Sequence, residues 1–419
     1  MEEGEANRDA EVAPALIAVH PHQKSVAVAV GPYLRVFDLH ADSASSLIDD
    51  SGGPFHKDSI RAIRFGARGK LFVSAGDDKS VKIWSAESWR CICTVSSEKR
   101  VSAVAISNDG SYVCFADKFG VVWIVDLTGY DGNQQLSDKN ATPLLSHYCS
   151  IITNLEFSPD GRFIVSSDRD FKIRVSYLIF PLNVNYPFRF VSCLAFVHDQ
   201  ECPQGLLVSG SGDSTVRLWD TSSGALLDTC DVAIKAGLLE SYGKAEEYDH
   251  AVTDLCTTLD GSLVAVALQR QALTFLMFLQ GIVLLRCNLS TRTLSVAKVV
   301  PIVGEAFVPT SLGSSSSAGM LWMVTGVSSL PGSSYPALAR VRVISGFDVE
   351  QVPAVVEDDK IPGGEKLLET LQGSISIDEN AFLAAAEAVK AAMCNLLIKK
   401  QYPFENRESK KRIRNDRKL

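Results

Sequence analysis

The chain has 419 residues and carries 41 Lys and Arg against 49 Asp and Glu, for a formal net charge of −8. Its 46% hydrophobic and 21% charged residues are typical of a globular protein and exclude a largely disordered one. The acidic balance argues against binding nucleic acid over the whole surface, although a local basic patch stays compatible with it. We expect no signal peptide in the acidic segment 1–12 and no membrane span, because the longest apolar run, 272–285, is shorter than the ~20 residues a spanning helix needs.

The ten cysteines are scattered and form no C-x-x-C pair, and the seven histidines show no metal-ligand spacing. This pattern predicts reduced thiols in an intracellular protein and no metal site.

A repeating unit dominates the chain from Leu16 onward. Each copy reads as short alternating strands separated by Gly, Asp or Asn turns, and the copies recur about every 47 residues, close to the period of a WD repeat. Such a unit cannot bury both faces of its sheet alone, so the copies are expected to stack radially. The sequence therefore predicts an all-β, seven-bladed WD40 β-propeller over 13–350. The seven copies are Leu16–Leu39, Ser59–Trp84, Val101–Leu127, Ile152–Ser176, Val191–Asp220, Val252–Leu289 and Ala306–Ser345.

An aspartate stands six positions before a tryptophan in the two clearest copies, as Asp78 with Trp84 and Asp213 with Trp219. In the fourth copy Asp170 stands six before Ser176, so serine replaces the tryptophan. We interpret the aspartates as acceptors for backbone N–H groups of the turn and the tryptophans as filling the gaps between blades.

Two apolar stretches interrupt the period. The first, 177–187, lies where a polar loop between blades is expected, and the second, 269–278, lies between two strands of the sixth blade. Exposed apolar loops are unusual. They are either genuine insertions, as packed extensions or a partner-binding patch, or translated intron sequence, which we favour.

Beyond the repeats, the sequence predicts an acidic, Gly-rich loop over 351–376 and a helix over 377–401. Ser376 and Glu379 form a capping box, and lysines end the helix. Phe382, Val389, Met393 and Leu396 share one face. This face either packs on the propeller, which we favour, or binds a partner.

The segment 402–419 is a basic tail. Its cations suit a nuclear localisation signal or contacts to RNA phosphates, and a merely solvated terminus is the alternative. These cations are Lys410, Lys411, Arg412, Arg414, Arg417 and Lys418. We expect a nuclear protein, with the cytoplasm as a further location.

No pattern of catalytic residues stands out. Gly210-Ser211-Gly212 precedes a strand, so no helix N-terminus is available to bind a phosphate, and no nucleophile elbow, H-E-x-x-H or P-loop is present. The chain is predicted to be a binding scaffold without catalytic, cofactor-binding or metal-binding residues.

The fourth copy is the most specific part of the sequence. Its string Asp168-Arg169-Asp170-Phe171-Lys172-Ile173-Arg174-Val175-Ser176 resembles the WD-repeat non-catalytic subunit of the tRNA (guanine-N7) methyltransferase. The run 116–120 of the third copy and the helix followed by a basic tail agree with that resemblance.

The resemblance implies a heterodimer. A separate catalytic subunit would bind S-adenosylmethionine and form 7-methylguanosine at position 46 in the tRNA variable loop, while this chain stabilises that subunit and helps to place the tRNA. Lys172 and Arg174 are implied to contact acidic side chains of the catalytic subunit, with Asp168 as an orienting partner. Phe171 departs from the family, which often has an acid there.

Other WD40 functions stay open. A ubiquitin-ligase substrate receptor would carry W-D-x-R at a blade end, but Trp219-Asp220-Thr221-Ser222 lacks the arginine. A histone-binding or signalling scaffold is a further alternative that no local feature favours.

Overall fold

Seven small antiparallel sheets make up most of the structure, which is a computed structural model. It describes residues 12–45, 47, 55–130, 139–147, 150–170, 172–177, 184–187, 191–236, 250–258, 260–270, 281–302, 308–314, 319–328, 337–347, 352–373, 381 and 383–389. In six sheets the four strands follow one another in chain order, as a blade requires.

The first four blades lie at these strands: β2 (Leu16–Val19), β3 (Ser25–Val30), β4 (Tyr33–Asp38) and β5 (Ser43–Ser45); β6 (Ile60–Gly66), β7 (Leu71–Gly76), β8 (Ser80–Ser85) and β9 (Cys91–Ser96); β10 (Val101–Ile106), β11 (Tyr112–Asp117), β12 (Val121–Asp126) and β13 (Thr142–Ser146); β14 (Ile152–Phe157), β15 (Phe163–Asp168), β16 (Lys172–Tyr177) and β17 (Val184–Pro187). A short 3-10 helix, Ala67–Gly69, joins β6 to β7.

The last three blades, with β1 (Ala13–Pro14) in the seventh sheet, complete the set: β18 (Val191–Val197), β19 (Leu206–Ser211), β20 (Thr215–Trp219) and β21 (Leu226–Asp231); β22 (His250–Thr257), β23 (Leu263–Arg270), β24 (Gly281–Asn288) and β25 (Thr293–Pro301); β26 (Ser311–Ser314), β27 (Leu321–Ser328), β28 (Ala337–Ser345) and β29 (Ala354–Val355). The helix α1 (Val232–Lys235) follows the fifth blade.

The blades form a closed ring. Each innermost strand contacts the innermost strand of the next blade, in the cycle β2, β6, β10, β14, β18, β22, β26 and back to β2. The seventh sheet closes the ring, because β1, which precedes the first blade, pairs with the same strand, β27, as β26 does. The predicted seven-bladed propeller is confirmed.

The core lies between neighbouring blades rather than inside any one of them. Each adjacent pair shares its own cluster of buried side chains, as the radial stacking of two-faced sheets requires. Trp84 is fully buried against the first blade and Trp219 is 3% exposed against the fourth. Both tryptophans therefore fill gaps between blades, as predicted.

Part of the predicted loop at 351–376 is regular structure, so that prediction is wrong. It contains β29, a 3-10 helix (Asp358–Lys360) and the helix α2 (Gly364–Gln372). Leu367, Leu368 and Leu371 lie on one face of α2, and this face packs on blades 1 and 7.

The predicted C-terminal helix is present where the structure describes it. Residues 381 and 383–389 are helical. Ala385, Ala386 and Val389 are buried against the seventh blade, so this part of the helix packs on the propeller. The capping box, Phe382, Met393, Leu396 and the basic tail lie outside the described residues.

The first apolar stretch is partly an outer strand, because Val184–Pro187 pairs with β16. The expectation of an inter-blade loop there is corrected to that extent. The second begins inside β23, and 271–280 lies outside the described residues. None of the helices described here is long and apolar enough to cross a membrane.

Candidate partner-binding face between blades 3 and 4

The strand β16 carries the predicted interface cations on one face. Ile173 and Val175 are 1% and 3% exposed and pack into the core, while Lys172 and Arg174 are half-buried on the other face. This alternation is the consequence of the period of two in a β-strand, and it was predicted from the sequence.

Arg174 is anchored at one end of its guanidinium group. Nη1 donates a hydrogen bond of 2.6 Å to the carbonyl oxygen of Ser146, at the end of the outer strand of blade 3. Nε is buried and has no hydrogen-bond partner among the described residues. An unpaired buried donor costs about 1–3 kcal/mol, so the fold leaves this group unsatisfied at that cost.

The equivalent positions of two other blades explain what is unusual about Arg174. In blade 5, Arg217 lies opposite Ser209 as Arg174 lies opposite Ser166, and its Nη2 pairs with Asp213 at 3.2 Å. In blade 2, Lys82 donates to the hydroxyl of Thr94. Arg174 makes no ion pair with Asp168 or Asp170 within the described residues, so its blade does not neutralise it.

Asp168 is a buried structural residue with an indirect role at this face. It is 0% exposed, and its Oδ2 lies 2.8 Å from His147 Nδ1. Its Oδ1 accepts hydrogen bonds from the backbone N–H groups of Asp170 and Lys172. Asp168 therefore orients the start of β16 through the backbone.

The electrostatics of this pair follow from burial and hydrogen bonding. Burial raises the pKa of Asp168, but the bonds from His147 and the two backbone amides outweigh it, so the pKa is lowered. Burial lowers the pKa of His147 and, together with the nearby charges of Arg174 and Lys172, outweighs the hydrogen bond and charge of Asp168, which raise it. The lowered pKa favours the neutral imidazole of His147, which bonds the buried Asp168 and Ser166 beside the cationic face.

The sequence predicts Asp170 as the turn acceptor of the fourth blade, and the turn hydrogen bonds that the structure shows there are accepted by a neighbouring aspartate. Asp168, two residues earlier, accepts the turn amides, and Asp117 does the same in blade 3 by accepting from Phe119 and Val121. Ser176 is 1% exposed, so it is buried in the place of a tryptophan.

In blades 2 and 5 the predicted aspartates do accept turn hydrogen bonds. Asp78 accepts from the amide and hydroxyl of Ser80, and Asp213 from those of Thr215. The predicted tryptophans Trp84 and Trp219 donate to serine hydroxyls of the neighbouring strand, at 3.0 and 2.9 Å.

Two buried histidines are structural residues that the sequence reasoning missed. His56 joins Asp78 at 2.9 Å and Ser74 at 2.7 Å, and His147 joins Asp168 and Ser166 in the same way. A histidine 18 or 19 residues before a strand serine was the available signal.

The central channel has a volume of about 450 Å³ and polar walls. Arg64 lies 3.2 Å from both Glu156 and Asn154, and Asp254 accepts from the amide of Leu312. Burial raises the pKa of Glu156 and of Asp254. Within the described residues no group of three or more His, Cys, Asp or Glu side chains is arranged to hold a metal ion.

The predicted tail cations and Phe171 lie outside the described residues, so the structure does not place them. The interface prediction thus depends on Lys172, Arg174 and the backbone support from Asp168.

Comparison with known proteins connects this face to a family. Residues 133–308 match the family described as "tRNA methyltransferase TRM82 WD40 domain", and residues 54–85 match the WD domain, G-beta repeat. The first match includes blade 4 and its cationic strand. Over these residues the chain is similar to the WD40 domain of that family.

Individual relatives carry the same description. The tRNA (guanine-N(7)-)-methyltransferase non-catalytic subunit WDR4 of Mus musculus is 33% identical over 42% of this chain and 41% of that protein. The Dictyostelium discoideum protein is 28% identical over 53% of this chain and 50% of its own length. The Xenopus laevis protein is 26% identical over 89% of this chain and 87% of its own. The chain thus matches half or less of the first two of these relatives and most of the third.

Solved structures support the fold. The structure of U3-55K has a TM-score of 0.58 at 18% identity and covers 75% of this chain and 89% of that one. A chain of the mitotic checkpoint complex has a TM-score of 0.57 at 17% identity, over 77% and 93%. At these identities the likeness concerns the propeller alone.

Proposed function

We propose that this chain is the non-catalytic subunit of a tRNA (guanine-N7) methyltransferase and binds the catalytic subunit through the face of β16. The observation that carries the proposal is the state of Arg174, which is anchored by Ser146, unpaired at Nε and without an acid from its own blade. The family match over residues 133–308 supports the identity of the partner.

The geometry suits an acidic partner. Nη1 is held by a carbonyl oxygen and no acid of the same blade pairs with the guanidinium in the described structure, so its charge is left for a carboxylate of the partner, which arginine binds well. Lys172, on the same side of the strand, adds a second positive charge. A partner presenting neighbouring carboxylates satisfies both cations.

In this proposal the chain itself is not an enzyme and binds no cofactor. S-adenosylmethionine binds to the catalytic subunit, and the propeller keeps that subunit active and helps to place the tRNA whose variable loop is methylated. In the same proposal, the basic tail contributes phosphate contacts and a nuclear localisation signal. Deletion of 407–419 tests both roles. Loss of the signal would shift the protein to the cytoplasm, and loss of the phosphate contacts would weaken the salt dependence of tRNA binding.

Reconstitution tests the function directly. The purified chain, the catalytic subunit of the same organism and their mixture are each assayed for 7-methylguanosine in tRNA. We expect the mixture to form a stable complex and to methylate, and this chain alone neither to methylate nor to bind S-adenosylmethionine. Absence of a complex, or cofactor binding by the isolated chain, would contradict the proposal.

A further inference from the structure

Phe119 is a large aromatic side chain that the fold leaves in solvent. It lies in the turn between β11 and β12, and 58% of it is exposed. The Nζ atom of Lys99 lies over the ring, 5.2 Å from its centre. The backbone N–H of Phe119 donates to the carboxylate of Asp117, so the turn is held by this bond while the ring stays largely exposed.

This turn is continuous with the face that carries Arg174. The amide of His147 donates to the carbonyl oxygen of Gly120 at 2.7 Å, and the next residue back, Ser146, accepts from Arg174. On the other side, Ser150 accepts from the amide of Asp170 at the start of β16. We call the surface formed by Lys99, Lys118, Phe119, Lys172 and Arg174 the blade 3–4 face.

Positive charge surrounds the ring on this face. Lys99 and Lys118 are exposed, while the carboxylates of Asp117 and Asp168 turn inward and are 4% and 0% exposed. The exposed Glu98 and the half-buried Asp170 offset only part of that charge. The blade 3–4 face therefore presents one exposed aromatic side chain with cationic side chains around it.

We propose that Phe119 is an apolar anchor of the interface with the catalytic subunit, inserting into an apolar pocket rimmed by carboxylates. This inference rests on the proposed function and extends the interface from β16 to the turn of blade 3. Aromatic side chains that become buried at the centre of an interface, beside paired cations, carry a large share of binding energy.

A protein pocket suits this face better than an RNA base. Single-stranded RNA is bound by successive aromatic platforms, whereas the other exposed aromatic side chain in the described part of the chain, Tyr33, lies in blade 1. One face of the Phe119 ring is also occupied by Lys99. A single ring surrounded by lysines fits an apolar pocket with an acidic rim.

The test compares Phe119→Ala with a matched control, Ile234→Ala. Ile234 is also 58% exposed. Its helix α1 lies beside the turn before β20 in blade 5, because the amide of Val232 donates to the carbonyl oxygen of Ser214. Calorimetric titration of each full-length variant with the catalytic subunit gives Kd, and thermal melting checks the fold. We expect Phe119→Ala to raise Kd about 30-fold, which is about 2 kcal/mol, with unchanged melting, and Ile234→Ala to leave Kd within about twofold.

The outcomes separate this inference from the function on which it rests. If the wild-type chain binds and Phe119→Ala binds equally well, the anchor is refuted while the proposed function stands. If Kd for the subunit is unchanged but the complex binds tRNA more weakly, Phe119 contacts RNA instead, which also overturns the inference. If the wild-type chain does not bind the subunit, both are refuted.

Discussion

At the scale of single residues, one hydroxyl in blade 2 serves two buried side chains. Ser74 Oγ accepts from Trp84 Nε1 at 3.0 Å and lies 2.7 Å from His56 Nε2. All three side chains are 1% exposed or less. In blade 5, Ser209 accepts from Trp219 at 2.9 Å but has no histidine partner in the described structure.

Ser74→Ala should therefore destabilise the protein more than Ser209→Ala. The first removes a hydrogen bond from each of two buried groups and should cost about 2–4 kcal/mol, whereas the second removes a hydrogen bond from one and should cost about 1–2 kcal/mol. Urea unfolding of the two variants measures the difference. Equal losses would contradict the shared role of the Ser74 hydroxyl.

The pH dependence of stability follows from Asp78, whose side chain is 6% exposed. Burial raises its pKa, but the hydrogen bonds from His56 and Ser80 outweigh that effect and lower the pKa from 3.8 to about 2. Because the folded pKa is below the unfolded one, the stabilisation is present above pH 3.8 and is lost as the pH falls toward 2.

Between pH 5 and pH 2, the free energy of unfolding should fall by roughly 2 kcal/mol less in Asp78→Asn than in the wild type. The exposed Asp58 provides the control, since Asp58→Asn should keep the wild-type profile. Urea midpoints across this range give the answer. A profile of Asp78→Asn as steep as that of the wild type would refute the assignment.

At the scale of elements, the helix α2 is attached to the ring at its C-terminal end. Arg35 Nη1, on β4, donates to the carbonyl oxygens of Leu371 and Gln372 at 3.2 and 2.6 Å. A cation at this end also suits the helix dipole. The Oε1 atom of Gln372 in turn accepts from the amide of Val341 on β28, so the helix holds blades 1 and 7 together.

Arg35→Ala should loosen this attachment and destabilise the protein by about 1–3 kcal/mol, because hydrogen bonds from a charged donor are lost at a half-buried site. Hydrogen exchange should speed up in α2 more than in β10. Lys366→Ala is the control on the same helix, since its ion pair with Asp42 is more than half exposed and should contribute at most about 1 kcal/mol. Unchanged exchange in Arg35→Ala would contradict this account.

The strands were predictable from the sequence because their alternation and turn residues are local signals. Ile173 and Val175 could be placed in the core, and Lys172 and Arg174 on the other face, from periodicity alone. The helix α2 was missed because it begins with two glycines, Gly363 at its N-cap and Gly364 as its first residue, and its leucines become informative only against blades 1 and 7.

The site was predictable in its cations but not in their partners. The choice of Asp168 over Asp170 as turn acceptor depends on His147, which comes from the preceding connection and is brought to the strand end only by the fold. The anchoring of Arg174 by Ser146 is likewise a contact between two blades. Sequence spacing alone does not specify such contacts.

At the scale of the whole molecule, the blades share one strand arrangement. They differ in which charged side chains are paired within their own blade. Arg217 is paired within blade 5, whereas the equivalent Arg174 has no ion pair with an acid of its own blade in the described structure. A ring that leaves the charge of Arg174 without an acid of its own blade presents a cationic face on which a partner can dock. This is the physical basis for a scaffold subunit.

The most direct measurement of this claim is the Kd of the catalytic subunit for Arg174→Leu and for Arg217→Leu, with melting temperatures of both. Arg174→Leu should keep a near-normal melting temperature, raise Kd at least about 30-fold and reduce tRNA methylation, because it strands the partner's carboxylate at about 2–5 kcal/mol. Arg217→Leu should lower the melting temperature and leave Kd of the folded protein unchanged. Binding of Arg174→Leu as tight as that of the wild type, or a loss of binding that merely follows its unfolding, would contradict the account.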